Sequence, residues 1–150
     1  MTQIVTIDSN HIVALFTPDE AALRQAASAG MMSVVNFRAA GENGGLSIPD
    51  ERRVAEKAGL NYLHHPVTAT ELDDDHVDNF RRSLDDLPQP VFLHCASGKR
   101  AGAMALMAIA AENGWDGATA LAKGRDRGFD LSEDEIGTFV KAYADRKAGL

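Results

Sequence analysis

The chain contains a single cysteine, Cys95, in the segment His94-Cys95-Ala96-Ser97-Gly98-Lys99-Arg100. Cysteine acts as a nucleophile in its thiolate form, so the surroundings that favour a thiolate are the first thing to read. Val91 to Leu93, a short apolar run after Pro90, suits a strand buried on both faces. The stretch from about Ala101 to Ala111 is apolar on every side and reads as a buried helix. Cys95 therefore stands at the end of a central strand, facing the first turn of a central helix. The first amides of a helix have no partner within it, and with the helix dipole they make a site for an anion. Lys99 and Arg100 add positive charge, and a guanidinium can hold an oxyanion through two parallel hydrogen bonds. The pattern predicts a nucleophilic thiolate beneath an oxyanion cradle.

Two plainer readings fit less well. A core cysteine packs as a small hydrophobe and does not need Gly98, Lys99 and Arg100 beside it. In a nucleotide-binding phosphate loop, the glycine required five residues before Gly98 is here Leu93. Arg100 also replaces the Ser or Thr that would hold magnesium.

The elements that would position this loop follow from periodicity and capping. Val5 to Ile7 and Ile12 to Phe16 read as two short strands. Thr17 with Glu20 forms a capping box, with Pro18 at the first helical position, for a helix ending at Gly30. Met32 to Phe37 reads as a buried strand, and residues 38 to 47 as a Gly-rich loop. Ser47 to Asp50 opens a helix that runs to about Lys57. Asn61 to His65 is the next strand, with His64 and His65 on opposite faces and read as structural.

Thr70 with Asp73 is expected to cap a helix whose Val77, Phe80, Leu84 and Leu87 recur at helical spacing. Asp116 to about Lys123 forms a short helix. Ser132 with Glu135 caps the last one, which carries Ile136, Phe139, Val140 and Tyr143 on one face. The alternation of strand and helix implies an α/β three-layer sandwich with a mainly parallel central sheet, and a site at the carboxyl ends of its strands.

The loop His94 to Arg100 resembles the active-site loop of cysteine-dependent phosphatases, the tyrosine and dual-specificity group. The closer resemblance is to the phosphatase-like domain of beta-lactamase-hydrolase-like proteins. Thr17-Pro18-Asp19-Glu20, Ser33 to Arg38 with Gly41-Glu42, and Asn61 to Val67 appear in that family's order, so the similarity covers about residues 12 to 112. The resemblance implies a dual-specificity-phosphatase-like fold and places Arg38 and Glu42 near the site. For those two side chains a surface ion pair is the simpler expectation.

Three departures from the pattern stand out. Ordinary phosphatases have five residues between cysteine and arginine, whereas Ala96, Ser97, Gly98 and Lys99 make four, a length that also resembles the rhodanese loop. Ala101 follows the arginine where phosphatases usually carry a Ser or Thr. Ala69 occupies the usual place of the general-acid aspartate.

The whole chain sets bounds. Its 150 residues, 45% of them hydrophobic, fit a single domain over 1–150. A net charge of −7 argues against nucleic acid or an anionic membrane surface as the partner. One cysteine leaves no internal disulfide, and the N-terminus lacks the pattern of a secretion signal, so a cytoplasmic location is expected.

The first expectation is a hydrolase for a phosphorylated protein or small molecule, needing no metal or cofactor. Cys95 is its nucleophile, Arg100 stabilises the oxyanion and Asp73 stands in as the acid. His94, Ala96, Ser97, Gly98, Lys99 and Ala101 contribute to substrate binding, with His94 also tuning the thiolate. The second is sulfur transfer through a Cys95 persulfide. The third is a non-catalytic phosphate-binding module.

Overall fold

The computed structural model describes residues 3–42, 44–68 and 70–150. Among them five strands form one sheet: β1 (Ile4–Asp8), β2 (His11–Ala14), β3 (Ser33–Asn36), β4 (Asn61–His64) and β5 (Val91–His94). Their order across the sheet is β1-β2-β5-β3-β4. β1 runs antiparallel to β2, and the other pairings are parallel. β5 thus lies in the middle, buried along its whole length, as its apolar run requires.

Six helices cover the two faces: α1 (Glu20–Ser28), α2 (Ile48–Lys57), α3 (Asp74–Asp85), α4 (Lys99–Asn113), α5 (Gly117–Arg127) and α6 (Glu135–Lys147). Side-chain alternation along the strands splits the core in two. Val34 and Phe92 join Leu23, Ala26 and Ala55 of α1 and α2 on one face. Val35 and Leu93 join α3, α4, α5 and α6 on the other. The result is the expected three-layer sandwich with a mainly parallel sheet.

α4 is buried from Ala101 through Ala110, because α3 and β5 on one side and α5 and α6 on the other enclose it. It begins two residues before the predicted start and ends at Gly114 in the left-handed conformation. Gly102 lets the Phe129 ring lie against the helix backbone; a Cβ there would stand 2.6 Å from Cε1 of that ring.

Several helix starts differ from the sequence reading. α1 begins two residues later than the capping box implied, with Asp19 rather than Thr17 as N-cap, accepting from the Ala22 amide at 2.9 Å. Asp19 takes the orphan amide, which leaves the Thr17 hydroxyl free to bond elsewhere. Asp73 itself caps α3, so Thr70 lies outside that helix. At α6 the Ser132 amide and hydroxyl both donate to Asp130, and the N-cap passes to Asp134. α5 extends to Arg127, beyond the expected Lys123, before Gly128 ends it.

Replacing Gly102 with valine should push Phe129 out of its seat and lower stability by about 1–3 kcal/mol, the usual cost of overpacking. Urea unfolding measures this; an unchanged midpoint would contradict the packing described.

Candidate active site

The loop between β5 and α4 closes on the cysteine sulfur. Gly98 has φ 98°, and its amide donates to Cys95 Sγ at 3.2 Å. A Cβ at Gly98 would lie 2.7 Å from Leu15 Cδ2 and 2.9 Å from the Ala14 carbonyl oxygen. Glycine is therefore required twice over, by backbone angle and by the close approach of β2. Cys95 is 1% exposed, so the sulfur lies at the base of the loop, while Ala96 and Ser97 above it are open to solvent. Among the described residues, the amides of Ala96 and Ser97 have no acceptor within the chain.

Arg100 is fixed by the loop that follows β3. Its Nη1 and Nη2 donate to Oε2 and Oε1 of Glu42, each at 2.8 Å, and Nη1 also donates to the Val67 carbonyl at 2.9 Å. A guanidinium has five N–H groups, and three are used. Among the described residues the other two, Nε–H and the second Nη2–H, have no oxygen acceptor; they lie along one edge and point the same way, the geometry that grips an oxyanion with two parallel bonds. Charge agrees with this placement. The hydrogen bonds to Glu42 raise the Arg100 pKa, and the nearby Cys95 sulfur adds to the rise. The same bonds, with the Ala39 amide, hold the Glu42 carboxyl down at about 2 against an ordinary 4.5.

Arg38 builds the loop that carries Glu42. It is 2% exposed, and its guanidinium donates to the carbonyls of Leu46 and Glu42, at 3.1 Å each, and to that of Gly44. The expected surface ion pair between Arg38 and Glu42 is thus not what forms. Three glycines, Gly41, Gly44 and Gly45, let the loop wrap around Arg38, which frees the Glu42 carboxylate for Arg100.

Under the loop lies a buried pair. His94 Nε2 and Glu51 Oε2 are 2.5 Å apart, and both side chains are fully buried. His94 Nδ1 lies 3.3 Å from the Cys95 carbonyl oxygen. His94 thus sits behind the loop as a support, where the sequence reading had it partly as a substrate ligand. Sequence reasoning missed Glu51. The available signal was a carboxylate on the buried face of α2, one helical turn before Ala55. Thr17 was missed in the same way, since its hydroxyl lies 3.4 Å from the Cys95 carbonyl oxygen and 3.2 Å from that of Ala96.

The other candidates are placed as follows. Ser97, Lys99 and Arg100 line a cavity of about 480 Å³ with Thr68 and the start of α6. Lys99 pairs across it with Asp134 at 3.1 Å, which neutralises the second cation of the loop. Ala101 is buried in the first turn of α4. Asp73, the expected acid, has an exposed carboxylate that caps α3, accepting from the His76 amide at 2.9 Å and facing His76 Nδ1 at 2.8 Å. Those bonds, the amide's first, lower its pKa, the opposite of what a general acid needs. Ala69 lies outside the described residues. His64 is structural, its Nε2 2.6 Å from the Arg38 carbonyl oxygen. His65 packs its ring against Phe37 and Phe80, and burial lowers its pKa.

A cysteine at the carboxyl end of a central strand, under helix amides and a clamped arginine, is the arrangement of a cysteine-dependent phosphatase-like domain. The chain belongs to the family described as beta-lactamase hydrolase-like protein, phosphatase-like domain, which matches residues 5–112. A Beta-lactamase hydrolase-like protein of Xylella fastidiosa is 34% identical over 107 residues, and one of Agrobacterium fabrum is 28% identical over 103. Each match covers 68% of this chain and 24% of the relative, so the chain spans about a quarter of their length.

The active form of Tk-PTP superposes with a TM-score of 0.80 at 19% identity, over 96% of this chain and 97% of that one. P. aeruginosa TpbA gives 0.75 at 20%, over 97% and 88%. The core catalytic domain of the S. cerevisiae PP-IP phosphatase SIW14, in complex with citrate, gives 0.69 at 13%, over 99% and 89%. These structures share the fold.

The Arg100–Glu42 bridge has a pH signature. The Glu42 carboxyl titrates at about 2 in the fold and near 4.5 when free, so its contribution is complete above about 4.5 and is lost as pH falls toward 2. With solvent screening allowed for, it is on the order of 1–2 kcal/mol at neutral pH. Urea unfolding should find Glu42→Gln less stable by that amount, with the gap to the parent narrowing as pH falls below 4.5. A gap that stays constant to pH 3 would contradict the assignment.

Proposed function

We propose that this domain is a cysteine-dependent phosphatase-like hydrolase acting on a phosphomonoester through a phosphocysteine. The observation that carries the reading is the free edge of Arg100. Among the described residues its Nε–H and one Nη2–H have no oxygen acceptor, beside a sulfur that already accepts the Gly98 amide. In the first step Cys95 Sγ attacks phosphorus as the bond to the leaving oxygen breaks. The amides of the loop and the edge of Arg100 take the equatorial oxygens. Water then attacks phosphorus, releasing inorganic phosphate and restoring the thiolate.

No acid is assigned to Asp73, whose carboxyl is occupied at α3. Water supplies the proton to the leaving oxygen, which suits aryl esters, whose departing phenolates are weakly basic. TpbA, one of the structures sharing this fold, has been solved in complex with pTyr, and for this chain an aryl phosphomonoester is the first substrate to try.

A second reading, sulfur transfer, is favoured by the same occupied Asp73, by Ala101 after the arginine and by the four-residue loop. Cys95 would attack the outer sulfur of a thiosulfate-like donor, the S–S bond would break, and sulfite would leave with the electron pair. The persulfide would then pass its outer sulfur to a thiol or cyanide. No protonated leaving oxygen is required.

The two readings separate by experiment. Release of phosphate from p-nitrophenyl phosphate in the presence of chelator is expected, and Cys95→Ser should abolish it. Asp73→Asn should change kcat by less than about threefold, where loss of a true general acid costs about 10²- to 10⁴-fold. Phosphate release surviving in Cys95→Ser would remove the phosphocysteine. A wild-type protein that leaves the ester intact yet gains one sulfur atom from thiosulfate by intact-mass spectrometry would replace the first reading with the second.

A further inference from the structure

We propose that Thr17 is a positioning residue for the oxyanion cradle, turning the Ala96 and Ser97 amides toward the anion by pinning the carbonyls on their far side. The proposal rests on the reading of the Cys95 loop as an oxyanion cradle. In a trans peptide the carbonyl and the following N–H point in opposite directions. The Cys95 carbonyl is paired in this way with the Ala96 amide, and the Ala96 carbonyl with the Ser97 amide. Thr17 Oγ1 lies 3.4 Å from the first oxygen and 3.2 Å from the second, so one hydroxyl proton is shared between them. Both amides are then aimed away from Thr17, and both lack an acceptor within the chain among the described residues.

The two carbonyls are not equally supported. The Cys95 oxygen has a second neighbour, His94 Nδ1 at 3.3 Å. The Ala96 oxygen has Thr17 as its only donor among the described residues, so the Ser97 amide depends on that hydroxyl most. The surroundings hold the threonine in place. Pro18 after it is buried, and a proline restricts the preceding residue to extended backbone. A side chain at Gly45 would overlap the Thr17 methyl, so the loop that carries Glu42 packs directly on this residue. Asp19 has taken the helix cap, which leaves the Thr17 hydroxyl no competing role.

Valine matches threonine in shape and lacks the hydroxyl; serine keeps the hydroxyl and lacks the methyl. The test reads affinity for inorganic phosphate as protection of Cys95 from iodoacetamide, with thermal unfolding alongside. Thr17→Val should weaken phosphate protection by about tenfold, below the ~10²- to 10³-fold cost of deleting a direct oxyanion donor, with little change in melting temperature. Thr17→Ser should stay within about twofold of the parent, since it restores the hydroxyl.

Protection in Thr17→Val equal to the parent's would overturn the proposal, as would a loss in Thr17→Ser as large as that in valine, which would assign the effect to the methyl packed at Gly45. A parent protein that phosphate does not protect would overturn the cradle reading itself, and this inference with it. If Thr17→Val melts early, Thr17→Ala against Thr17→Ser carries the same comparison.

Discussion

The division of the Arg100 N–H groups governs this site. A guanidinium free to rotate would bond whatever carboxylate or carbonyl came near, and its useful edge would point nowhere in particular. Here Glu42 takes one N–H from each terminal nitrogen, and the Val67 carbonyl takes a third. The remaining edge is fixed before any ligand arrives, which is the condition for electrostatic stabilisation without reorganisation. The clamp depends in turn on Arg38, which leaves β3 and folds the following loop around its own guanidinium. Two arginines thus act in series, one shaping the loop and the other shaped by it.

Polar groups buried beneath the loop have a similar purpose. A histidine and a carboxylate without solvent exposure are costly unless they are paired, and His94 Nε2 meets Glu51 Oε2 at 2.5 Å, while Glu51 Oε1 has no hydrogen-bond partner among the described residues. Nearby, Asn36 donates to the Tyr62 hydroxyl at 2.9 Å and accepts from the Arg38 amide at 2.9 Å. These bonds tie β5 to α2 and β3 to β4 beneath the loop. A purely apolar floor would pack as well but would leave the direction of the Cys95 carbonyl open.

Much of this was legible in the sequence, because the relevant signals are local. The apolar run at Val91, the solitary cysteine and the apolar Ala101 to Ala111 stretch together specify strand, loop and buried helix. What escaped was set by tertiary contact. Thr17 looks like a helix cap by spacing, yet the helix begins two residues later with Asp19 capping the Ala22 amide, and only the fold brings Thr17 to the carbonyls of Cys95 and Ala96. Glu51 looks like a first-turn acid, and nothing in its neighbourhood reveals a histidine from another strand. By position Asp73 fits a complement to the helix dipole better than a catalytic acid, and it is the N-cap of α3. Glu42 was discounted since the buried arginine that shapes its loop is invisible without the chain folded.

The account rests on an oxyanion lying between the loop amides and the open edge of Arg100, directly over the Cys95 sulfur. A crystal structure with tungstate bound tests it most directly. The expected density places the oxyanion within hydrogen-bond distance of the amides of Ala96 and Ser97 and of Arg100 Nε and Nη2, with Glu42 still in its bidentate grip. Tungstate bound elsewhere on the molecule, or Arg100 released from Glu42 with its edge turned from the sulfur, would contradict it.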